Sequence, residues 1–531
     1  MKTKISIGMS VVFLVTIMAV FPSSSPGQAF WYGDDISENI SAADGAALHD
    51  YLVDFVGKLK MMNTNNNPDG IKYLRIYEPK ETWAGYTLLS AIGSPLEPNA
   101  VLIDMDGTVV KTWSTAMMGV PSKMLPNGDI LVGKAPPMME GTLTQLDWCG
   151  NVINSWGDHV HHDFEREGNP VGYYAPGQKP QTRSGKTMWM DHHQITEDTS
   201  HISDIPLLDD VIYIANWDGS LDFEWYAWQH FDENDCKNED GQRRPGCLTM
   251  GFDAAAKDAI RKVKIPWMGF PNATDWTHGN QASWVGPNKW WNNGKDVDGD
   301  KDNGKGRCRG ECDLRFHPEN IMVDFRNMNL SVIIARYDHP KGKWRSGDIV
   351  YRIGPDYSAD KPEYSLGAII GQHHFHMIPQ GLPGAGNILI FDNGGNAGFG
   401  SLIRGLTDAD GKPIGHYPNT FRNYSRVIEF NPITLEIVWE YKDTVAEGDV
   451  DGDGEVKGAE RKFFSNLMSS AQRLKNGNTL ITESGTSRIF EVTSQGKIVW
   501  EYIHPGAGFF GGVYRAYRVP YDWAPKDQSC P

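Results

Sequence analysis

The 531-residue sequence is short of three things: cysteine, positive charge and long apolar runs. Its six cysteines include no Cys-x-x-Cys pair followed by further Cys or His ligands, which excludes the common structural zinc modules. Against 67 Asp and Glu stand only 50 Lys and Arg, a formal charge of −17. Such an excess of negative charge repels nucleic acid and anionic lipid, so any anion site is a local exception. After Phe21 no apolar stretch is long enough to span a bilayer, so no stable membrane insertion is expected. Long amphipathic helical patterns are also scarce. What is abundant is Gly (57) and Trp (18), the composition of an all-β chain with many tight turns.

The N-terminus reads as an export signal over residues 1–29. "MKTK" supplies the positive region, Ile5 to Phe21 the apolar core, and "SSSPGQA" small residues before a cut near Ala29. A periplasmic or secreted protein is therefore expected. In that compartment cysteines pair. Cys236 with Cys247, and Cys308 with Cys312, are close enough in sequence for local staples. Cys149 and Cys530 remain, and the connectivity is left open.

Two stretches near the C-terminus nearly superimpose: "SRVIEFNPITLEIVWEYKD" from Ser425 and "SRIFEVTSQGKIVWEYIHP" from Ser487. Looser copies begin at Ala100, Leu143, Asp210 and Ser331, making six. A second hairpin pattern recurs between them, at Ser122, His373 and Ala471, with a degenerate copy at His161. Each unit is thus four short alternating strands joined by Gly/Asn/Asp turns. Four-stranded units that cannot bury both faces alone stack radially, which predicts a six-bladed β-propeller over residues 85–531. A β-sandwich is the competing arrangement, but sandwiches do not repeat at this period. "GYTLLSAI" from Gly85 has no evident hairpin partner nearby and is expected to complete the last blade. Residues 30–84, with a helical pattern over 35–63, form a short N-terminal appendage.

Ordered motifs add chemistry: "HHDF" (His161), "DWTHGN" (Asp275), "FRN" (Phe325), "YRIG" (Tyr351), and "QHHFHMIPQG" running into "FDNG" (Phe391). In these motifs the chain resembles the bacterial arylsulfate sulfotransferases, exported propeller enzymes that move sulfate between phenols without a nucleotide donor. The resemblance implies His373 as the residue that attacks sulfur and carries the sulfuryl group, with His278 and Arg352 holding its oxygens. A further histidine of some members falls on Asn327 here, leaving Arg326 and Asn327 as hydrogen-bonding candidates. His374 and His376 are additions to the family pattern. His162, beside Asp163, is expected to line the channel mouth and meet substrate.

Sulfuryl transfer between phenols can proceed by two displacements through a covalent intermediate, with ping-pong kinetics. Neutral imidazole is nucleophilic at neutral pH. Cationic donors aimed at the sulfuryl oxygens would stabilise the transition state by ~3 kcal/mol each. No metal or soluble cofactor is needed for that reaction. The partners implied are an aryl sulfate donor and a phenolic acceptor, and a homo-oligomer is left open. Strand alternation puts His373 and Phe375 on one face and His374 and His376 on the other. A bulge would swap them, so His374 stays a rival nucleophile. His161/His162 and His192/His193 lack acidic or Cys partners at fixed spacing, which argues against a metal there. Two other functions remain: a propeller dehydrogenase with a quinone cofactor, and a non-catalytic ligand-binding propeller.

A separate signal is "DVDGDGEVKGAE". Asp449, Asp451 and Asp453 occupy places one, three and five of a calcium loop. Gly454 makes the turn, Glu455 offers a carbonyl at seven, and Glu460 is the bidentate ligand at twelve. A structural Ca2+ is expected there. Asp296 to Asp302 begin similarly, but Arg307 at the twelfth place cannot ligate a cation.

Overall fold

The computed structural model describes residues 73–92, 98–114, 119–134, 141–250, 266–267, 270–292, 312–354, 366–367, 369–394, 424–443, 463–465, 467–505 and 512–530. The chain divides into two units, Met1–His49 and Asp50–Pro531, and everything described belongs to the second. The export signal, the helical pattern over 35–63, the calcium loop at Asp449–Glu460 and the Asp296–Asp302 stretch lie outside the described residues. Among the described residues no helix is long and apolar enough to cross a membrane.

The second unit is all-β and propeller-like. Among the described residues its strands form five hydrogen-bonded sheets of five, nine, four, four and four strands. All six repeats are antiparallel hairpins. They pair Pro98–Ile103 with Val109–Ser114, Gly141–Leu146 with Val152–Arg166, and Leu207–Ala215 with Leu221–Tyr226. The other three are Leu330–Ile334 with Ile349–Ile353, Arg426–Phe430 with Ile437–Tyr441, and Arg488–Val492 with Ile498–Ile503.

The hairpins are tied in sequence around the unit. The second strand of each donates a side-chain hydrogen bond to the turn of the next. Trp113 Nε1 reaches the Trp148 carbonyl at 3.1 Å, Asn154 Nδ2 that of Trp217 at 2.8 Å, and Trp225 Nε1 that of Gly347 at 2.9 Å. Tyr351 Oη reaches Pro432 at 2.9 Å, Trp439 Nε1 reaches Ser494 at 3.0 Å, and Trp500 Nε1 returns to Met105 in the first turn at 2.8 Å. Aromatic residues at the strand ends therefore serve packing and closure. For the indoles of Trp113, Trp225 and Trp500 the partner of the buried N–H is a turn carbonyl.

Two expectations are corrected. Tyr86–Ile92 does have a local partner: it pairs with Pro98–Ile103 on one side and the C-terminal strand Val513–Val519 on the other. The C-terminal strand thus joins the N-terminal sheet, and sequence distance hid it. The appendage also begins the fold earlier than expected, because Leu74–Tyr77 adds a fifth strand beside Ile498–Ile503.

The long strand Val152–Arg166 passes from one pairing to another. Leu143 lies opposite Trp156, while Trp189 lies opposite Phe164. Gly157 sits at the change, with φ +64° and no room for a Cβ, which would come within 2.4 Å of Val160. Between sheets the core is apolar: Phe375, Ile388 and Ile390 pack on Met322 and Ile333 of the preceding sheet. On the other face, Leu389 and Phe391 pack on Ile481 and Phe490 of the following one. Each such side chain contributes about 1.5–3 kcal/mol relative to exposure. Disulfides join Cys149 to Cys530 and Cys236 to Cys247, and Cys312 is also disulfide-bonded.

Candidate active site

Three histidines share an uncommon backbone. His162, His278 and His374 have φ of 51°, 48° and 57°, left-handed conformations that non-glycine side chains seldom adopt. Each stands at a register break: between His161 and Phe164, just before Gly279/Gln281, and between His373 and His376. Bulges of this kind re-aim side chains and cluster beside functional sites.

The bulge decides the face question at His373. His373 lies opposite Phe391 and His376 opposite Leu389. Phe391 and Leu389 are two apart on one strand and share a face, so His373 and His376 share one too. Phe375 turns the other way, into the apolar cluster with Ile388 and Ile390. The simple alternation expected from the sequence, which paired His373 with Phe375, is therefore wrong here.

His373 is buried and fully oriented. Its Nδ1 donates to Asn393 Oδ1 at 2.8 Å, with Gly371 O at 3.1 Å, so Nε2 carries the lone pair and accepts the Met468 N–H at 3.1 Å. Burial, followed by the Arg326 guanidinium and with Arg515 also contributing, holds its pKa well below the ordinary imidazole value. The ring is neutral at physiological pH.

Beyond burial, Arg326 and His278 stand near enough for their charge to lower the His373 pKa, and Asn327 and His162 adjoin them. His278 donates from Nδ1 to the Asp275 carboxylate, and its side chain, at 16% exposure, is the least buried of the group. The backbone N–H groups of Arg326 and Asn327 bind the carbonyls of His278 and Thr277, both at 3.1 Å. Asn327 Nδ2 donates to Asp275 O at 2.9 Å, and its Oδ1 accepts from Arg326 Nη1 at 3.2 Å. Asn327 thus fixes the guanidinium. The His162 ring stands edge-on to that of His278 at 4.7 Å. Burial and then His278 depress its pKa well below 6.5.

Arg352 is not brought into this group. It lies on Ile349–Ile353, the outermost strand of a four-stranded sheet, and donates to Thr249 O at 2.7 Å. Three strand spacings of ~4.8 Å separate that strand from Gly279–Trp284. Its motif falls at a strand end of the repeat. His374 diverges as well. Its Nδ1 accepts the Ala471 N–H at 3.3 Å and its ring packs 4.2 Å from that of His376, which accepts from Tyr173 Oη at 2.9 Å. It belongs to a second buried polar group, away from Arg326 and His278.

Sequence reasoning missed Arg515, Asn393 and Asp275. The last two stood inside quoted motifs without a role. Arg515 is wholly buried on Val513–Val519, with Nη1 2.8 Å from Asp163 Oδ2 and Nη2 2.6 Å from Asn280 O. The one available signal was a pair of arginines, Arg515 and Arg518, inside the short strand "VYRAYRV". Asp163, expected at the channel mouth, is buried as a bridge between Arg515 and Lys123.

No protein-family model matches the chain, and no curated protein sequence does. Solved structures are similar at low identity. A protein of unknown function from Bacteroides caccae gives a TM-score of 0.37 at 11% identity, covering 82% of this chain and 99% of its own. The periplasmic gluconolactonase of Pseudomonas aeruginosa gives 0.32 at 11%, covering 84% and 98%. The virginiamycin B lyase of Staphylococcus aureus gives 0.29 at 10%, covering 81% and 88%. Likenesses this distant assign no residue a role.

Proposed function

We propose that the protein is a sulfotransferase, moving a sulfuryl group from an aryl sulfate ester to a phenolic acceptor through a covalent intermediate on His373 Nε2. One observation carries the reading: a neutral imidazole with its proton anchored on Nδ1 by Asn393, beside the Arg326 guanidinium. In the first step the Nε2 lone pair, exchanging the Met468 N–H for sulfur, forms the N–S bond. The S–O(aryl) bond breaks and the phenolate leaves. His278, oriented by Asp275, protonates that oxygen. In the second step an acceptor phenol attacks sulfur, the N–S bond breaks, and His278 takes the acceptor's proton. Arg326 binds the sulfuryl oxygens, Asn327 positions it, and His162 meets the aryl group at the edge of the site. Arg515, with both terminal nitrogens already engaged, contributes field alone.

The reading includes a six-bladed propeller in which Val152–Arg166 belongs to two blades, so that the nine-stranded sheet counts as two. The side-chain ties running from each repeat to the next and back to the first support that count. It also includes export to the periplasm or medium, supported by the N-terminal sequence and the disulfides, and a structural Ca2+ at Asp449–Glu460. The test is release of a coloured phenol from its sulfate ester. Release should accelerate on adding a phenolic acceptor and vanish in His373→Ala. Acceptor-independent release, or full activity in that variant, would overturn the reading.

A further inference from the structure

Beside this group lies a second convergence, on three adjacent strands. His161 is on Val152–Arg166, His192 on Thr187–Gln194 and Asp210 on Leu207–Ala215; Asp210 lies directly opposite His192. All three are buried. The imidazoles stack at 3.6 Å with 13° between planes. Their Nε2 atoms lie 3.2 Å (His161) and 3.8 Å (His192) from the same oxygen, Asp210 Oδ1. The three candidate ligand atoms all fall within 4.8 Å of one another. The acidic partner whose absence counted against a metal here is thus supplied across the sheet, where sequence spacing does not show it.

The carboxylate is anchored through its other oxygen. Its Oδ2 accepts from the Thr277 hydroxyl and from the Gly279 N–H at 2.6 Å, leaving Oδ1 toward the imidazoles. Gly279 permits that approach, since a Cβ there would come within 3.1 Å of the carboxylate and 2.3 Å of Met190. Ligating carboxylates and histidines are ordinarily fixed by such outer hydrogen bonds. His161 has one too, Nδ1 to Nδ1 of His162 at 2.9 Å.

We infer that His161, His192 and Asp210 bind one divalent first-row transition-metal ion. Ligands at ~2.0–2.1 Å around a tetrahedral ion stand ~3.3 Å apart, close to the His161–Asp210 separation of 3.2 Å and ~0.5 Å short of the His192–Asp210 one. An imidazole binds a metal along the in-plane lone pair of its nitrogen, so the stacked rings turn apart to bring both Nε2 atoms onto one ion. Two imidazoles and one carboxylate select zinc-like ions over Ca2+ or Mg2+, which take oxygen ligands. Binding has a consequence for the neighbouring group. An ion on His161 Nε2 leaves the proton on Nδ1, which then donates to His162 Nδ1. His162 keeps its own proton on Nε2. The ion so sets the tautomer of the histidine that packs on His278. The inference stands whether or not the sulfuryl-transfer reading does.

The test uses the full chain, unfolded with chelator and refolded with Zn2+, or with Co2+ as an optical probe. After dialysis, bound zinc is counted by mass spectrometry for the wild type, His192→Ala and Asp210→Asn. The wild type should hold one equivalent more than either variant, show a visible Co2+ absorption that the variants lack, and melt higher with Zn2+ than without. The variant comparison removes any ion bound elsewhere on the chain. Equal zinc content in the wild type and a folded variant would overturn the inference. So would a wild type with neither Co2+ absorption nor Zn2+-dependent melting, which needs no variant to fold.

Discussion

Replacing Asp163 by Asn tests how the buried charges of the fold are held. Asp163 Oδ1 lies 2.6 Å from Lys123 Nζ and Oδ2 lies 2.8 Å from Arg515 Nη1, and all three side chains are 2% exposed or less. Burial opposes its ionisation, but Arg515 and Lys123 hold its pKa below the ordinary carboxylate range. The substitution keeps the shape and removes the charge. Lys123 retains Glu165 Oε1 at 2.6 Å. Glu165 ionises more readily in the variant, because the Asp163 charge is one of the causes, after burial, that push its pKa up. Arg515 loses its carboxylate contact and keeps hydrogen bonds to the Asn280 carbonyl at 2.6 Å and the Tyr517 hydroxyl at 3.5 Å; the nearby Asp324, whose ionisation burial opposes first, is not hydrogen-bonded to it. Breaking one partner of a buried pair costs about 3–5 kcal/mol, and the relief at Glu165 places this case near the lower end. For 531 residues an unfolding entropy of ~2.1 cal/mol/K per residue gives ~1.1 kcal/mol/K, so Tm should fall by about 3 °C. Calorimetry at pH 7 measures it. A fall of less than about 1 °C, with native circular dichroism, would refute the idea that Asp163 compensates two buried cations.

Arg326→Met should lower kcat/KM for aryl sulfate by about 10²–10³, and should move the acidic limb of the pH–rate profile to higher pH, because a cation that depresses the His373 pKa is gone. An unmoved limb would mean that Arg326 acts on binding alone. Arg352→Gln should transfer at the wild-type rate, since its guanidinium serves the Thr249 carbonyl; a loss as large as that of Arg326→Met would return it to the site. His376, its pKa pushed down to about 3 by burial, contributes stability that is complete above the unfolded value of ~6.5 and is lost as the pH falls below it. Between pH 7 and 5 the wild type should therefore lose about 2 kcal/mol more than His376→Gln, read by comparing their melting at both pH values. A gap between the two proteins that does not change with pH would contradict this.

Much of the fold was legible because it repeats. Six Trp- or Tyr-bearing hairpins show as alternating strands around Asn/Asp/Gly turns, and all six form. What could not be read depends on distance or on long insertions. Val513–Val519 pairs with Tyr86–Ile92 across the whole chain, and Gly279–Trp284 finds Ile321–Phe325 beyond a long intervening segment. The site shows the same limit. His373, His278, Arg326 and Asn327 stood in motifs and do assemble. Arg352 matched a motif but sits on an outer strand, because a motif fixes neighbours along the chain and not depth within a sheet. Arg515 and Asp210 reach their partners from other strands with no local mark, and the bulge at His374 reversed the face that alternation assigned to Phe375.

The central claim is that the His373 imidazole takes the sulfuryl group. Brief exposure of the protein to an aryl sulfate without acceptor, followed by intact-mass analysis, tests it most directly. The wild type should gain one sulfuryl group, lose it on adding a phenol, and show no gain as His373→Ala. An adduct that persists in that variant, or a wild type that releases phenol while never gaining mass, would contradict the account.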